Sequence, residues 1–480
     1  MQLKPDEQSI SIDDQESRAD LDRTLLQFPQ GFLWGVATSH FQVEGNPEEI
    51  NGRHSDWALW TATDGKILDN STADRACDFF SRYDLDVELC KSLNLNAFRL
   101  SLNWPALCPT RGATFSRQSV DFYRRLLQTL KSNGFKTFVT LFHFCLPNWL
   151  AEVGGWNNEL AIEEFDRFTE MAIQEFGDLV DFWLTLNEPL AYAYQGYIEG
   201  AWPPGHRGNY VGAFRSIRNM LEGHARSYAT IHRLQSAARV SYTFHWIPFQ
   251  ARRKFNLFDR LSCYMRDQVF NQVWMRATET GILSFPPPIC LEPAVKKISG
   301  PIEGLKDSID YVGINYYTRQ VCEFKWEWPP DIFGIRSDSP ELETSGLGWE
   351  VYPQGLYDLL TRDLNSYRLD ANGKPRDIYI TENGLASMFP ADLTDGDWSL
   401  KDDIRERYLV SHLMAVHKAI GAGANVKGYL HWSLLDNFEW AEGLRARFGL
   451  VRVAYPTLER TLRESAKLYA RIAGSNALFK

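Results

Sequence analysis

The chain has 480 residues, with 51 basic and 61 acidic side chains and a net charge of −10. That balance supplies no basic stripe for phosphates, which argues against nucleic acid and anionic membrane surfaces as partners. Apolar residues at 44% and charged residues at 23% exclude wholesale disorder, and 16 Trp, 20 Tyr and 29 Phe offer flat faces that suit cores and the C–H faces of sugars alike.

Residues 1–27 carry seven acids against three bases and no apolar stretch of signal-peptide length. They read as an acidic, disordered extension, and residues 28–480 as one folded unit. From Phe28 onward short apolar runs alternate with helical patterns. Phe32–Thr38 is the first predicted strand. A stripe of Ala76, Phe79, Tyr83, Val87 and Cys90 predicts a helix, followed by a strand over Ala97–Leu102. Val120, Tyr123, Leu127 and Leu130 predict the next helix, with Gly134 placed to stop it, before a strand at Thr137–His143. Ile162, Phe165, Phe168, Ala172 and Phe176 form a third stripe, ended by Gly177. Strands follow at Asp181–Asn187, Val240–Trp246, Tyr311–Asn315 and Asp377–Glu382. A last stripe, Ile404 to Ile420 with Gly421 as its stop, leads to a strand at Lys427–Ser433. The stretches after the fifth and sixth strands, about 247–309 and 318–352, read as loop insertions, with Trp326, Trp328 and Trp349 positioned to wall an entrance. Eight buried strands with helices between them predict an α/β fold, a single (β/α)8 TIM barrel with long βα loops at its C-terminal face.

In such a barrel the chemistry gathers where the strands end. Polar residues do collect there: Gln42 and Glu44 after the first run, Arg99 in the second, His143 at the third, and Asn187 with Glu188 at the fourth. Asn315 and Tyr317 follow the sixth, Glu382 and Asn383 the seventh, and Trp432 with Glu439 the eighth; the fifth offers only His245 and Trp246. Glu188 and Glu382, on runs four and seven, face each other across one mouth. Glycoside cleavage needs such a pair: one carboxyl to protonate the leaving oxygen, the other to attack or stabilise the anomeric carbon. A separation of about 5–5.5 Å gives retention and one of about 6.5–9.5 Å inversion. Arg99 and the Tyr317 hydroxyl are expected to lower the pKa of Glu382 and burial to raise that of Glu188, making Glu382 the nucleophile and Glu188 the acid, then base. Gln42, His143, Asn187 and Glu439 offer hydrogen bonds to sugar hydroxyls, and Trp432 and Trp440 offer stacking faces.

At these residues the chain resembles glycoside hydrolase family 1, the β-glucosidase family, from about Phe28 to Tyr469. The resemblance is carried by Phe32-Leu-Trp-Gly-Val-Ala-Thr-Ser with Gln42, by Phe98-Arg99-Leu-Ser, Leu186-Asn-Glu-Pro189, Gly313-Ile-Asn-Tyr-Tyr-Thr318, Gly348-Trp-Glu350, Ile380-Thr-Glu-Asn-Gly384, Trp432-Ser-Leu-Leu-Asp-Asn-Phe-Glu-Trp440 and Arg447-Phe-Gly-Leu-Val451. It implies Glu188 as acid/base, Glu382 as nucleophile, and Arg99, Asn315 and Tyr317 as residues that orient the nucleophile. It implies Gln42, His143, Asn187, Trp432, Glu439, Trp440 and Phe448 around the glycone, Trp349 under the aglycone, retention of configuration, and neither metal nor cofactor. Glu439 would repel a phosphate, so an unphosphorylated sugar is expected. Departures from the pattern are His143-Phe144-Cys145, His40, Asn46, Ala76-Cys-Asp-Phe-Phe80 and Ala201-Trp-Pro-Pro-Gly205. They leave glucose, galactose, fucose and mannose open as glycones.

Three readings stand at this level: a hydrolase of small β-linked glycosides, a transglycosidase passing the sugar to an alcohol or lipid acceptor, and a non-catalytic sugar-binding relative. The last is expected to lack one of the paired acids, and both are present. No H-E-x-x-H or G-x-S-x-G occurs, no run of 18 apolar residues predicts a membrane span, and seven scattered Cys without C-x-x-C fit reduced thiols in the cytoplasm.

Overall fold

A computed structural model of the chain describes residues 25–45, 54–325, 335–336, 342–364, 367, 369–388, 402–455 and 457–479. Trp326, Trp328 and Asn46, and all but the last three residues of the expected extension, lie outside them.

Eight parallel strands close into a barrel: β1 Leu33–Ala37, β2 Ala97–Ser101, β3 Lys136–Phe142, β4 Phe182–Asn187, β5 Val240–His245, β6 Tyr311–Asn315, β7 Asp377–Asn383 and β8 Val426–Trp432. Each pairs with its neighbours in chain order, and β8 returns to β1 through Gly428↔Leu33 to Trp432↔Ala37. The strands are buried along nearly their whole length because helices cover one face and the barrel interior the other, so their sequences run continuously apolar. The lower end of the interior is filled by Phe138, Phe182, Tyr311 and Tyr379; the Phe138 and Phe182 rings stack at 4.2 Å. With that end closed, polar groups collect at the other.

Four of the long helices follow the predicted stripes, with shifted ends, and a fifth, Tyr210–Leu234, was not predicted. Helix α1, Phe79–Ser92, starts three residues after Ala76, because Ala76 and Asp78 have φ of 40° and 53°. Helix α2, Arg117–Ser132, buries Val120, Tyr123, Leu127 and Leu130. Helix α3, Leu160–Phe176, passes directly into a 3-10 turn at Gly177–Leu179. Gly177 is thus no left-handed stop; its φ is −60°, and an added Cβ would lie 2.4 Å from Gln235 Nε2. Helix α4 is Tyr210–Leu234 and α5 is Asp403–Gly421. Gly421 remains helical, and the stop is Gly423, whose φ of 96° lets the Ala424 amide donate back to Ala419 O at 2.9 Å.

Two pairings were not foreseen. Leu25–Gln27, counted with the extension above, pairs antiparallel with Ala477–Phe479, so the folded unit begins three residues early. Gln320–Glu323 pairs parallel with Phe249–Ala251 and antiparallel with Ile335–Arg336, joining the two insertions in a small sheet. None of the seven cysteines forms a disulfide. Among the described residues no helix is long and apolar enough to cross a membrane.

Candidate active site

Strand β4 ends at Asn187, and Glu188 begins a short helix, Pro189–Ala193. Proline at the first helical position disfavours the right-handed conformation for the residue before it. That preference alone would make Glu188 extended; it is instead left-handed, with φ of 41°, and its amide donates to Thr243 O at 2.9 Å. Phe144 and Trp440 also have positive φ, 69° and 46°. Three strained residues at one mouth mark a place where side-chain direction is fixed at the expense of backbone comfort.

Glu382 lies inside β7, where Cα register sets it opposite Asn315 of β6. Each of its oxygens meets a donor. Arg99 Nη1 donates to Oε1 at 2.5 Å, and Tyr317 Oη donates to Oε2 at 2.5 Å. Arg99 is fully buried, with Nε on Thr140 Oγ1 at 3.2 Å and Nη2 on Asn187 Oδ1 at 2.6 Å. Asn187 Oδ1 is a hub that also accepts from Thr243 at 2.8 Å and from Asn315 Nδ2 at 3.2 Å. The same Asn315 Nδ2 donates to Glu188 Oε1 at 2.6 Å, while Thr381 donates to Asn315 Oδ1 at 2.8 Å and fixes that amide's orientation. Short hydrogen bonds thus tie the two carboxylates into one network.

Because Asn187 Oδ1 is committed as acceptor, its Nδ2 donates to His143 Nε2, 3.2 Å away. His143 is buried, which holds its pKa well below the usual value. The ring is therefore neutral with its proton on Nδ1, an atom without a hydrogen-bond partner among the described residues. It lies nearly parallel between Trp432 and Trp440, at 6.1 and 6.0 Å. Gln42 Nε2 donates to Asn437 Oδ1 at 3.0 Å and to Glu439 Oε2 at 3.1 Å. Phe448 and Trp349 both pack on Tyr317, at 6.0 and 5.6 Å. All thirteen residues singled out from the sequence for this site gather at this mouth. Glu44 does not join them; it accepts from Tyr123 Oη at 2.7 Å and from Asn103 at 3.4 Å in the packing behind β1.

The expected charge order is reversed. Burial pushes Glu382 up to about 7, with the charge of Glu188 adding to the rise against Arg99 and Tyr317. Burial also raises Glu188, but His245, Asn315 and Arg99 together outweigh it and bring Glu188 below its ordinary value. Burial and the nearby Glu382 raise Glu439 to about 8. His245 is the residue the sequence reading passed over. Its Nδ1 lies 3.5 Å from Glu188 Oε2. It stands at the end of β5, so the strand-end rule that found the others pointed to it as well. Thr140, Thr243, Thr381 and Asn437 carried no such signal.

Two of the departures from the family pattern, Phe144 and Trp202, pack beside Trp440. Phe144 packs on Trp202 at 4.8 Å and Trp440 at 5.1 Å, and Trp202 itself meets Trp440 at 5.6 Å. Beyond His245 and Trp349 the mouth opens into a cavity of about 350 Å³. Among the described residues no His, Cys, Asp or Glu side chains cluster as metal ligands.

Comparison with known proteins agrees with this geometry. The model of "Glycosyl hydrolase family 1" matches residues 25–478. "Beta-glucosidase A" of Thermotoga maritima is 33% identical over 464 residues, which cover 95% of this chain and 99% of that protein. A "1,4-beta-D-glucan glucohydrolase" of Thermotoga neapolitana is 32% identical over 95% of this chain and all of its own length. The solved structure of the "Family 1 b-glucosidase from Thermotoga maritima" superposes with a TM-score of 0.85 at 32% identity, covering 95% of this chain and 100% of that one. The same enzyme solved with deoxynojirimycin gives 0.83, over 94% and 99% of the two chains. With its barrel, its paired carboxylates and these matches along nearly its whole length, the chain belongs to glycosyl hydrolase family 1 and is an O-glycoside hydrolase.

Proposed function

We propose that the protein hydrolyses unphosphorylated β-glucosides by double displacement, with Glu382 as nucleophile and Glu188 as acid, then base. The observation that carries the assignment is the unequal fixing of the two carboxylates. Glu382 is gripped on both oxygens by Arg99 and Tyr317, which aims it. Glu188 is held on one oxygen by Asn315 and presents the other toward His245 and the cavity. In the first step a Glu382 oxygen bonds to the anomeric carbon as its bond to the leaving oxygen breaks, and the Glu188 proton passes to that oxygen. In the second, Glu188 takes a proton from water, the water oxygen bonds to the anomeric carbon, and Glu382 leaves as carboxylate. Arg99 and Tyr317 then regain a charged partner.

Gln42, Glu439, His143 Nδ1 and Asn187 are the proposed holders of the sugar hydroxyls, Trp432, Trp440 and Phe448 the walls around the ring, and Trp349 the platform beside it. Glucose is the glycone named by the relatives above. Burial, with the Glu382 charge, holds the Glu439 carboxyl up to about 8, so a sugar phosphate here would lose its water beside an acid rather than a cation. Seven cysteines outside disulfides support a reducing compartment, the cytoplasm. The apolar cavity favours a second outcome, transfer of the glucosyl group to an alcohol that displaces water there. Proton NMR of nitrophenyl β-glucoside cleavage tests the main reading: the first product is β-glucose, and initial release of α-glucose rejects double displacement.

A further inference from the structure

We infer that the leaving group taken by this site is a hydrophobic alcohol, alkyl or aryl, rather than a second sugar; the inference rests on the reading of Glu188 as the proton donor. The cavity of about 350 Å³ is bordered by His245, whose Nδ1 faces Glu188 Oε2 at 3.5 Å, and by Trp349, which packs on Tyr317. An oxygen protonated by Glu188 therefore sits at the inner end of this cavity, and whatever that oxygen carries extends into it. The volume falls in the range of about 300–1,000 Å³ typical of small-molecule sites.

The larger part of its wall is apolar, with Ile198, Phe214, Ile247, Phe249, Phe270 and Ile289 among the side chains that line it. Four of these come from the insertion after β5, so the character of the cavity is set by this chain's own loop rather than by the barrel. Three hydroxyls line it, those of Tyr194, Tyr210 and Thr318; within the protein Tyr194 donates to Glu199 Oε1 at 2.8 Å and Thr318 to Glu350 O at 2.9 Å. Gln195, Gln320, Arg266 and Glu442 are the amides and charges on its border. A pyranose leaving group would bring several hydroxyls against this surface, each losing water with few partners to replace it. An alkyl or aryl group loses nothing by leaving water and gains the wall contacts.

The test is a series of methyl, butyl, hexyl and octyl β-D-glucosides below their micelle concentrations, compared with cellobiose. β-D-Glucosyl fluoride is the control, since its leaving group neither needs a proton donor nor reaches the cavity. The expected result is a rise in kcat/KM of about threefold per added methylene until the cavity fills, with cellobiose at least about tenfold below octyl glucoside. Phe270→Asn and Ile289→Asn, on separate parts of the wall, should each lower the octyl-to-methyl ratio by about fivefold or more. A flat chain-length series, or cellobiose cleaved as well as octyl glucoside, overturns the inference while turnover of the fluoride leaves the catalytic reading standing. Failure to turn over the fluoride overturns both.

Discussion

Glu188 faces His245 at 3.5 Å and Glu382 faces Arg99 at 2.5 Å, so each carboxylate has its own cationic or cation-capable neighbour. Two acids this strongly linked titrate as a pair. The first proton leaves below the ordinary carboxylate range, and the second is held to about 7. The singly protonated pair holds its proton mainly on Glu382, and its minor form, with the proton on Glu188, is the one that has both a nucleophile and a donor. Activity therefore rises with pH through the first ionisation and falls through the second, near 7, giving a bell in kcat/KM. His245→Asn removes the largest pull that offsets burial at Glu188. The acid limb of the bell should move up by about 0.5–1 pH unit, narrowing the profile; a limb that stays in place rejects this role for His245. At this scale the identities of the acids were legible, because each closes an apolar run. Their charge order was not. It depends on burial at the mouth and on His245 from β5 and Asn315 from β6, which approach through space rather than along the chain.

The strands that carry the site tolerate little at their contacts. A Cβ on Gly384 would lie 1.8 Å from Trp432 O, so alanine there must part the end of β7 from the end of β8. Gly384→Ala should cost about 3 kcal/mol and lower kcat/KM at least about tenfold, because Glu382 is two residues upstream and a displacement of this order misaligns the attack. Gly421→Ala is the matching control. No atom lies within 4 Å of its added Cβ, and alanine should leave stability level or raise it by up to about 1 kcal/mol. Thermal melts and kcat/KM on both variants check the pair. At the scale of elements all eight strands were legible as apolar runs, and four of the long helices as stripes; Tyr210–Leu234, the longest described helix, was not. The helix stop at Gly423 was missed because Gly421, two residues earlier, suited the same pattern. The sheet of Phe249–Ala251 and Gln320–Glu323 was missed because its strands are short and belong to separate insertions.

Across the whole molecule, chain order and spatial order agree around the barrel, and that agreement makes most of the fold readable from the sequence. Each strand lies beside the next, so the eight run ends form one ring. The ends of the chain break the rule: Leu25–Gln27 crosses to Ala477–Phe479, a pairing visible only in three dimensions. Removing residues 1–27 deletes that pairing, whereas removing residues 1–24 keeps it. The longer deletion should lower Tm by about 2–4 °C relative to the shorter without changing KM, since the pairing is far from the mouth; equal Tm values would show that the strand contributes nothing. The mouth itself depends on Asn187 Oδ1, where donors from β2, β5 and β6 converge and set Glu188 and Glu382 over one space. The most direct test of that arrangement is to trap the covalent intermediate. A 2-deoxy-2-fluoro-β-glucoside with a good leaving group should inactivate the enzyme with one equivalent of label, and peptide mapping should find the ester on Glu382. Label on any other side chain, or inactivation with no ester at all, would contradict the account.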